Sequence, residues 1–128
     1  MRAAVNRLEF YLQEAADPKT NAWFDNYLKG AILYRGVKTP QVRSLLIELT
    51  KEFGLTELSI EKQLEFCDRL MRKKTAEDKF AAIFYLQRYL VSRATPQQLL
   101  AFTEQQFAKN DCLIGLQWIG SAFGFLIR

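Results

Sequence analysis

The sequence predicts an all-α protein made of a helical repeat, an α-α superhelix of about six to seven helices. Apolar residues recur at helical spacing, and a capping residue precedes proline at residues 17–18, 39–40 and 95–96. No run of alternating residues with hairpin turns competes with this pattern. A chain of 128 residues, 49% of them hydrophobic, fits one domain over residues 1–128.

Two helices are predicted before residue 35. In residues 3–16 the apolar side chains fall on one helical stripe, formed by Val5, Leu8, Leu12 and Ala15. This helix stops at Asp17-Pro18, which is typical of an N-cap followed by the first position of a new helix. The second helix extends from there towards Tyr34.

The third and fourth helices follow a predicted loop at residues 35–38. Thr39-Pro40 repeats the cap-and-proline pattern, and it opens a helix that Gly54 closes. The apolar residues of that helix form one continuous stripe, made of Val42, Leu45, Leu46, Leu49 and Phe53. Ser59 is predicted to cap the fourth helix, whose apolar positions are Ile60, Leu64, Cys67 and Leu70 or Met71.

Two further helices begin at Thr75 and Thr95. Residues 75–78 resemble a capping box with Asp in the Glu/Gln position, and the helix they open is apolar nearly all round, which predicts a central position. The helix starts recur as pairs about every 36–40 residues, close to the period of HEAT-type arrays. Identity between the units is negligible, so an irregular bundle is the alternative.

The basic residues cluster more than the net charge of +4 suggests. Between Arg69 and Arg93 there are seven Lys and Arg residues against the two acids Glu77 and Asp78. A local field of this sign favours a polyanionic partner, and the alternative is a solvated helix face.

Several classes of site are excluded by composition. The chain has no histidine, which removes Ser-His and Cys-His pairs and histidine-ligated metals. It has no glycine-rich phosphate loop. Cys67 and Cys112 lack metal-ligand spacing, and no signal peptide opens the chain, so a reduced, cytoplasmic protein is expected. No metal, cofactor or membrane span is predicted.

Residues 111–128 form an atypical apolar tail. No charged residue occurs from Leu113 to Ile127, yet the stretch is too short and glycine-broken for a membrane span. A terminal repeat needs a polar outer face. We therefore expect either packing against another chain, as in a homodimer through the C-terminal helix, or a chain truncated by a premature stop or shifted frame.

The block Tyr27-Leu-Lys-Gly-Ala-Ile-Leu-Tyr-Arg-Gly-Val-Lys-Thr-Pro-Gln-Val-Arg43 resembles the N-terminal region of the AlkD-like DNA alkylation repair family. The resemblance implies a HEAT-like solenoid that acts on alkylated purines in double-stranded DNA. It implies that Tyr27 lies near the lesion in the concave groove and that Lys38, Thr39 and Arg43 bind phosphates of the DNA backbone. The predicted DNA-binding residues are Tyr27, Lys29, Arg35, Lys38, Thr39 and Arg43. Taken singly, these residues are better explained as a core aromatic (Tyr27), a helix start (Thr39-Pro40) and a surface charge (Arg43), whereas together in one block they favour an anion site.

The family's catalytic pattern, a Trp followed four residues later by an Asp, is not recognisable here. The expected carboxylate falls on Leu116 or Gln117, and Asp111 is out of register. No catalytic residue is therefore predicted. Three functions remain: weak binding of the DNA backbone by an inactive relative, a protein-interaction module that self-associates through its apolar tail, and an active alkylpurine glycosylase.

Overall fold

The computed structural model describes residues 2–19, Leu33 and residues 35–108. Within these ranges the chain forms five α-helices: α1 Arg2–Ala15, α2 Thr39–Phe53, α3 Ile60–Met71, α4 Ala76–Tyr85 and α5 Pro96–Phe107. A 3₁₀ turn, Leu55–Glu57, follows α2, and a π turn, Leu86–Leu90, continues α4. The described residues contain no strand, which confirms the all-α prediction. The predicted second helix beyond Lys19 and the tail 111–128 lie outside them.

The ends of most helices follow the local signals. The hydroxyl of Ser59 accepts a hydrogen bond from the amide of Lys62 at 3.3 Å, and Thr95 forms a complete capping box with Gln98. Gly54 ends α2 in the left-handed region with φ of 59°. Each of these boundaries was predicted, because capping depends on residues adjacent in the chain.

Two predicted caps form differently. Lys38, with φ of −67° and ψ of 145°, is the N-cap of α2, and Thr39 is already inside the helix. Pro40 therefore occupies the second helical position. Thr75 does precede α4, but its hydroxyl donates to the carboxylate of Asp78 and makes no capping bond to the backbone.

The helices pack in two layers. One layer contains α1, α3 and α5, with α3 in contact with both others, and the second contains α2 and α4. Contacts of α1 with α2 and of α3 with α4 join the layers. This arrangement is consistent with stacked helix pairs.

The core lies between the layers, and α4 is central as predicted. Eight of its ten residues are buried. It packs on α3 through Tyr85 and Phe66, whose ring centroids are 5.4 Å apart, and the hydroxyl of Tyr85 donates to Gln63 Oε1 at 2.7 Å. Cys67 is also fully buried and acts as a small apolar group.

Candidate functional site

The loop before α2 is held by the carboxylate of Glu77, a fully buried residue on α4. Glu77 Oε1 accepts a hydrogen bond from the amide of Arg35 at 2.8 Å, and Oε2 accepts from Gly36 at 2.9 Å and Val37 at 3.1 Å. Gly36 has φ of 94°, so the three amides turn towards one point and form an anion-binding concavity. An internal carboxylate fills this concavity and fixes the start of α2.

The side chain of Arg35 is drawn into the same internal network. Its Nε lies 3.0 Å from Oδ2 of Asp78, which is fully buried, and its Nη2 lies 3.6 Å from Oε1 of Glu9 on α1. The other Glu9 oxygen is 3.2 Å from Lys73 Nζ. The side chain of Arg35 is only 14% exposed. Its guanidinium therefore ties α1 to α4, whereas Lys38 and Arg43 are exposed.

At the N-terminus of α2, the Lys38 ammonium is a better contact for an anion than the backbone amides of the first turn. The carbonyl of Lys38 accepts from the amides of Gln41 and Val42, both at 3.0 Å, and Pro40 has no amide hydrogen. The Lys38 side chain is exposed, and Thr39 is half-buried. An anion here would meet the Lys38 ammonium and the positive end of the helix dipole.

Arg43, one turn further along α2, borders a cleft between α2 and α4. Its Cζ lies 4.7 Å from the ring centroid of Phe84 on α4, close enough for a cation–π contact. Arg88, in the π turn, borders the same cleft. Its Cζ lies 5.6 Å from the ring centroid of Tyr89. The cleft has a volume of about 300 Å³ and is lined by Arg43, Leu46, Ile47, Phe84, Gln87 and Arg88.

Neither of these two arginines has a carboxylate partner among the described residues, and both are exposed. Most of the other cations between Arg69 and Arg93 differ from these two, because each bonds to a carboxylate or to a backbone carbonyl of the protein. Five of the cations in this run are engaged within the protein: Arg69 with Glu65, Arg72 with Asp68, Lys73 with Glu9, Lys79 with the carbonyl of Met71, and Arg93 with the carbonyl of Thr56. The run is therefore not a single basic surface.

The predicted residues are only partly brought together. Tyr27 and Lys29 lie outside the described residues, and Arg43 is the member that borders the cleft. Arg88 belongs to the basic run from Arg69 to Arg93 but was not among the predicted site residues, and neither was Phe84. The four-residue spacing of these two was a local signal, since it places them on one face of a helix.

A family model described as DNA alkylation repair enzyme matches residues 8–112. The chain belongs to the DNA alkylation repair family. The match includes α2, α4 and residues 35–38 before α2, so it covers both Glu77 and the cleft. No curated protein and no solved structure matches the chain significantly.

The described part of the chain contains neither a helix that could span a membrane nor a cluster of metal-binding side chains. None of its helices combines the length and apolarity needed to cross a bilayer. In the same residues no three Cys, Asp or Glu side chains are grouped to hold a metal ion.

Proposed function

We propose that the protein binds double-stranded DNA through backbone phosphates and does not itself catalyse base excision. The observation that supports binding most directly is the position of Arg43. This arginine was expected to hold phosphate, it is exposed, and no acid among the described residues neutralises it. The Phe84 ring lies against its guanidinium.

Stacking leaves the guanidinium suited to phosphate. A guanidinium is planar and presents its N–H donors around its edge, so a ring on one face orients it without using those donors. Two parallel N–H groups can then meet two phosphate oxygens. Membership of a DNA repair family and the exposed Lys38 at the start of the same helix support the same partner.

A titration of labelled duplex DNA at two salt concentrations, followed by fluorescence anisotropy, tests this proposal. Binding through phosphates should weaken steeply with salt and depend little on sequence. Arg43→Gln should weaken binding to all duplexes alike and reduce the salt slope by about 0.9 for each phosphate that the variant no longer neutralises. Arg69→Gln is the matched control, since that arginine is paired with Glu65 on α3. No binding by the natural protein at low salt would refute the proposal.

The lack of excision is tested separately. The family's Trp and Asp pair is not recognisable in the sequence, and this supports an inactive protein. Alkylated DNA should release no methylated purine above the uncatalysed rate. If release is seen, and Asp111→Asn or Tyr27→Ala reduces it, the protein is a glycosylase.

Self-association through the C-terminal tail is the second candidate function. The absence of charge from Leu113 to Ile127 favours it, because uncharged apolar surface is typically covered. Leu100 on α5, the helix nearest the tail in the chain, is 48% exposed. Light scattering at micromolar concentration should give a dimer mass, and a monomer would exclude this candidate.

A further inference from the structure

The cleft between α2 and α4 differs from two other grooves of the described structure, because acidic residues line those two grooves. Its lining includes Arg43 and Arg88, and no acidic residue is among the described lining residues. We propose that this cleft is a phosphodiester subsite, in which both guanidinium groups hold one phosphate of a DNA strand. The proposal rests on the proposed function and adds Arg88 and Gln87 to the interface.

Two other grooves of the described structure do not offer the same chemistry. In the groove between α1 and α3, acids share the lining: Arg69 and Arg72 are each 3.0 Å from a carboxylate, those of Glu65 and Asp68. Lys73 in the same groove is 3.2 Å from Glu9, and Arg2 is the remaining basic residue of its described lining. The groove between α3 and α5 has three acids, Glu61, Glu65 and Asp68, with no basic residue among its described lining. A polyanion is therefore expected in the α2–α4 cleft.

Size and lining suit one sugar-phosphate unit. About 300 Å³ is at the lower end of the range for small-ligand sites, about 300–1,000 Å³. Leu46, Ile47 and Phe84 supply apolar wall beside the two arginines. The Gln87 amide is an additional neutral donor for a phosphate oxygen, and such contacts position a strand without reading its sequence.

The backbone at Arg88 is itself unusual. Gln87 and Arg88 lie in the π turn, where the amide of Val91 donates to the carbonyl of Leu86, five residues earlier, at 2.9 Å. Single π turns within helices are rare and frequently occur at functional sites. This observation is independent of the charge distribution and points to the same cleft.

Arginine-to-lysine substitutions test the subsite, because lysine keeps the charge but does not have the planar fork or the stacking surface. Arg43→Lys and Arg88→Lys should each weaken duplex binding roughly tenfold, measured by anisotropy at low salt. Arg69→Lys is the control and should bind as the natural protein does. Circular dichroism melting of each variant checks that it is folded.

A double-mutant cycle tests whether one phosphate is shared. If both guanidinium groups hold the same phosphate, the double variant Arg43→Lys/Arg88→Lys should be much less than 100-fold weaker, because the first substitution already disrupts most of the shared site. Strict additivity would mean two separate phosphates and would overturn the shared subsite. If Arg43→Lys weakens binding and Arg88→Lys does not, the subsite is refuted while DNA binding stands. If the natural protein does not bind DNA, both proposals fail.

Discussion

Oε2 of Glu77 lies 2.9 Å from the amide nitrogen of Gly36, although 41 positions separate the two residues. The bond joins the first turn of α4 to the loop that begins α2. It places a buried carboxylate where the backbone would otherwise have unsatisfied donors. The relative position of α2 and α4, and so of Arg43 and Arg88, depends in part on this acid.

Replacement of Glu77 by Gln should therefore destabilise the fold. One carboxylate oxygen becomes an NH₂ group that faces amide donors, so buried N–H groups no longer have an acceptor. We expect the free energy of unfolding to fall by about 3 kcal/mol. Urea denaturation measures the change.

Glu48→Gln, at an exposed position on α2, is the matched control and should change stability by less than about 0.5 kcal/mol. A destabilisation below about 1 kcal/mol in Glu77→Gln would contradict the proposed importance of the hydrogen bonds to the loop.

Arg35→Met should also be strongly destabilising. Asp78 is fully buried, and removal of its guanidinium partner leaves a charge in the interior. Breaking a buried pair in this way typically costs about 3–5 kcal/mol. Thermal or urea unfolding checks the value.

Arg72→Met provides the comparison, because its pair with Asp68 has the arginine 58% exposed. Such a surface pair should contribute less than about 1 kcal/mol. Equal effects of the two substitutions would show that the pair of Arg35 with Asp78 is no more buried in solution than a surface pair.

Gly54→Ala tests the end of α2. The glycine has φ of 59°, and a Cβ there would meet its nearest atom, Glu57 Oε2, at an ordinary 3.7 Å. The cost should therefore come from the left-handed backbone alone, about 1–2 kcal/mol. Gly54→Asn should cost less, since Asn visits that region more readily. Equal urea midpoints for the Ala and Asn variants would contradict this account.

Cys67 should make stability depend on alkaline pH. Burial, with a smaller contribution from the charge of Asp68, raises the pKa of the thiol well above its ordinary value of 9.0. Above pH 9 the unfolded chain loses this proton while the folded chain keeps it. The free energy of unfolding should then fall by up to about 1.4 kcal/mol per pH unit through this group.

Urea denaturation between pH 8 and 10 measures this fall, and Cys67→Ala should reduce the slope. Burial also raises the pKa of Tyr85 above its ordinary value of 10.0, so the tyrosine adds a similar decrease at higher pH. In a Cys112→Ala background, the folded protein should react slowly with a thiol reagent at pH 8. Rapid reaction without urea would contradict the burial of Cys67.

Local features of the fold could be predicted from sequence. The stripe in α1, the Gly54 end of α2 and the capping box at Thr95 each depend on residues within one or two turns. The N-cap of α2 was placed one residue late, at Thr39. The Thr-Pro pattern fits either position, since proline is tolerated throughout the first helical turn.

The site was less predictable, because its character depends on long-range pairing. Arg35 and Arg43 are both basic residues of the same block. Arg35, however, pairs with the buried Asp78, 43 positions away, and its side chain is therefore directed into the interior. The pairing of Lys73 with Glu9 spans 64 positions. The Arg72 and Asp68 pair, in contrast, has the spacing of helix neighbours, so the sequence alone could have removed Arg72 from the basic run.

The π turn at Leu86–Leu90 gives the chain one residue more than a regular α-helical ladder requires. Deletion of one residue of this segment would convert the π turn into a regular α-helical turn, so the residues before and after it would keep their positions while the side chains within it change direction. Such a deletion would thus turn Arg88 away from the cleft between α2 and α4, while the scaffold would keep its apolar interior.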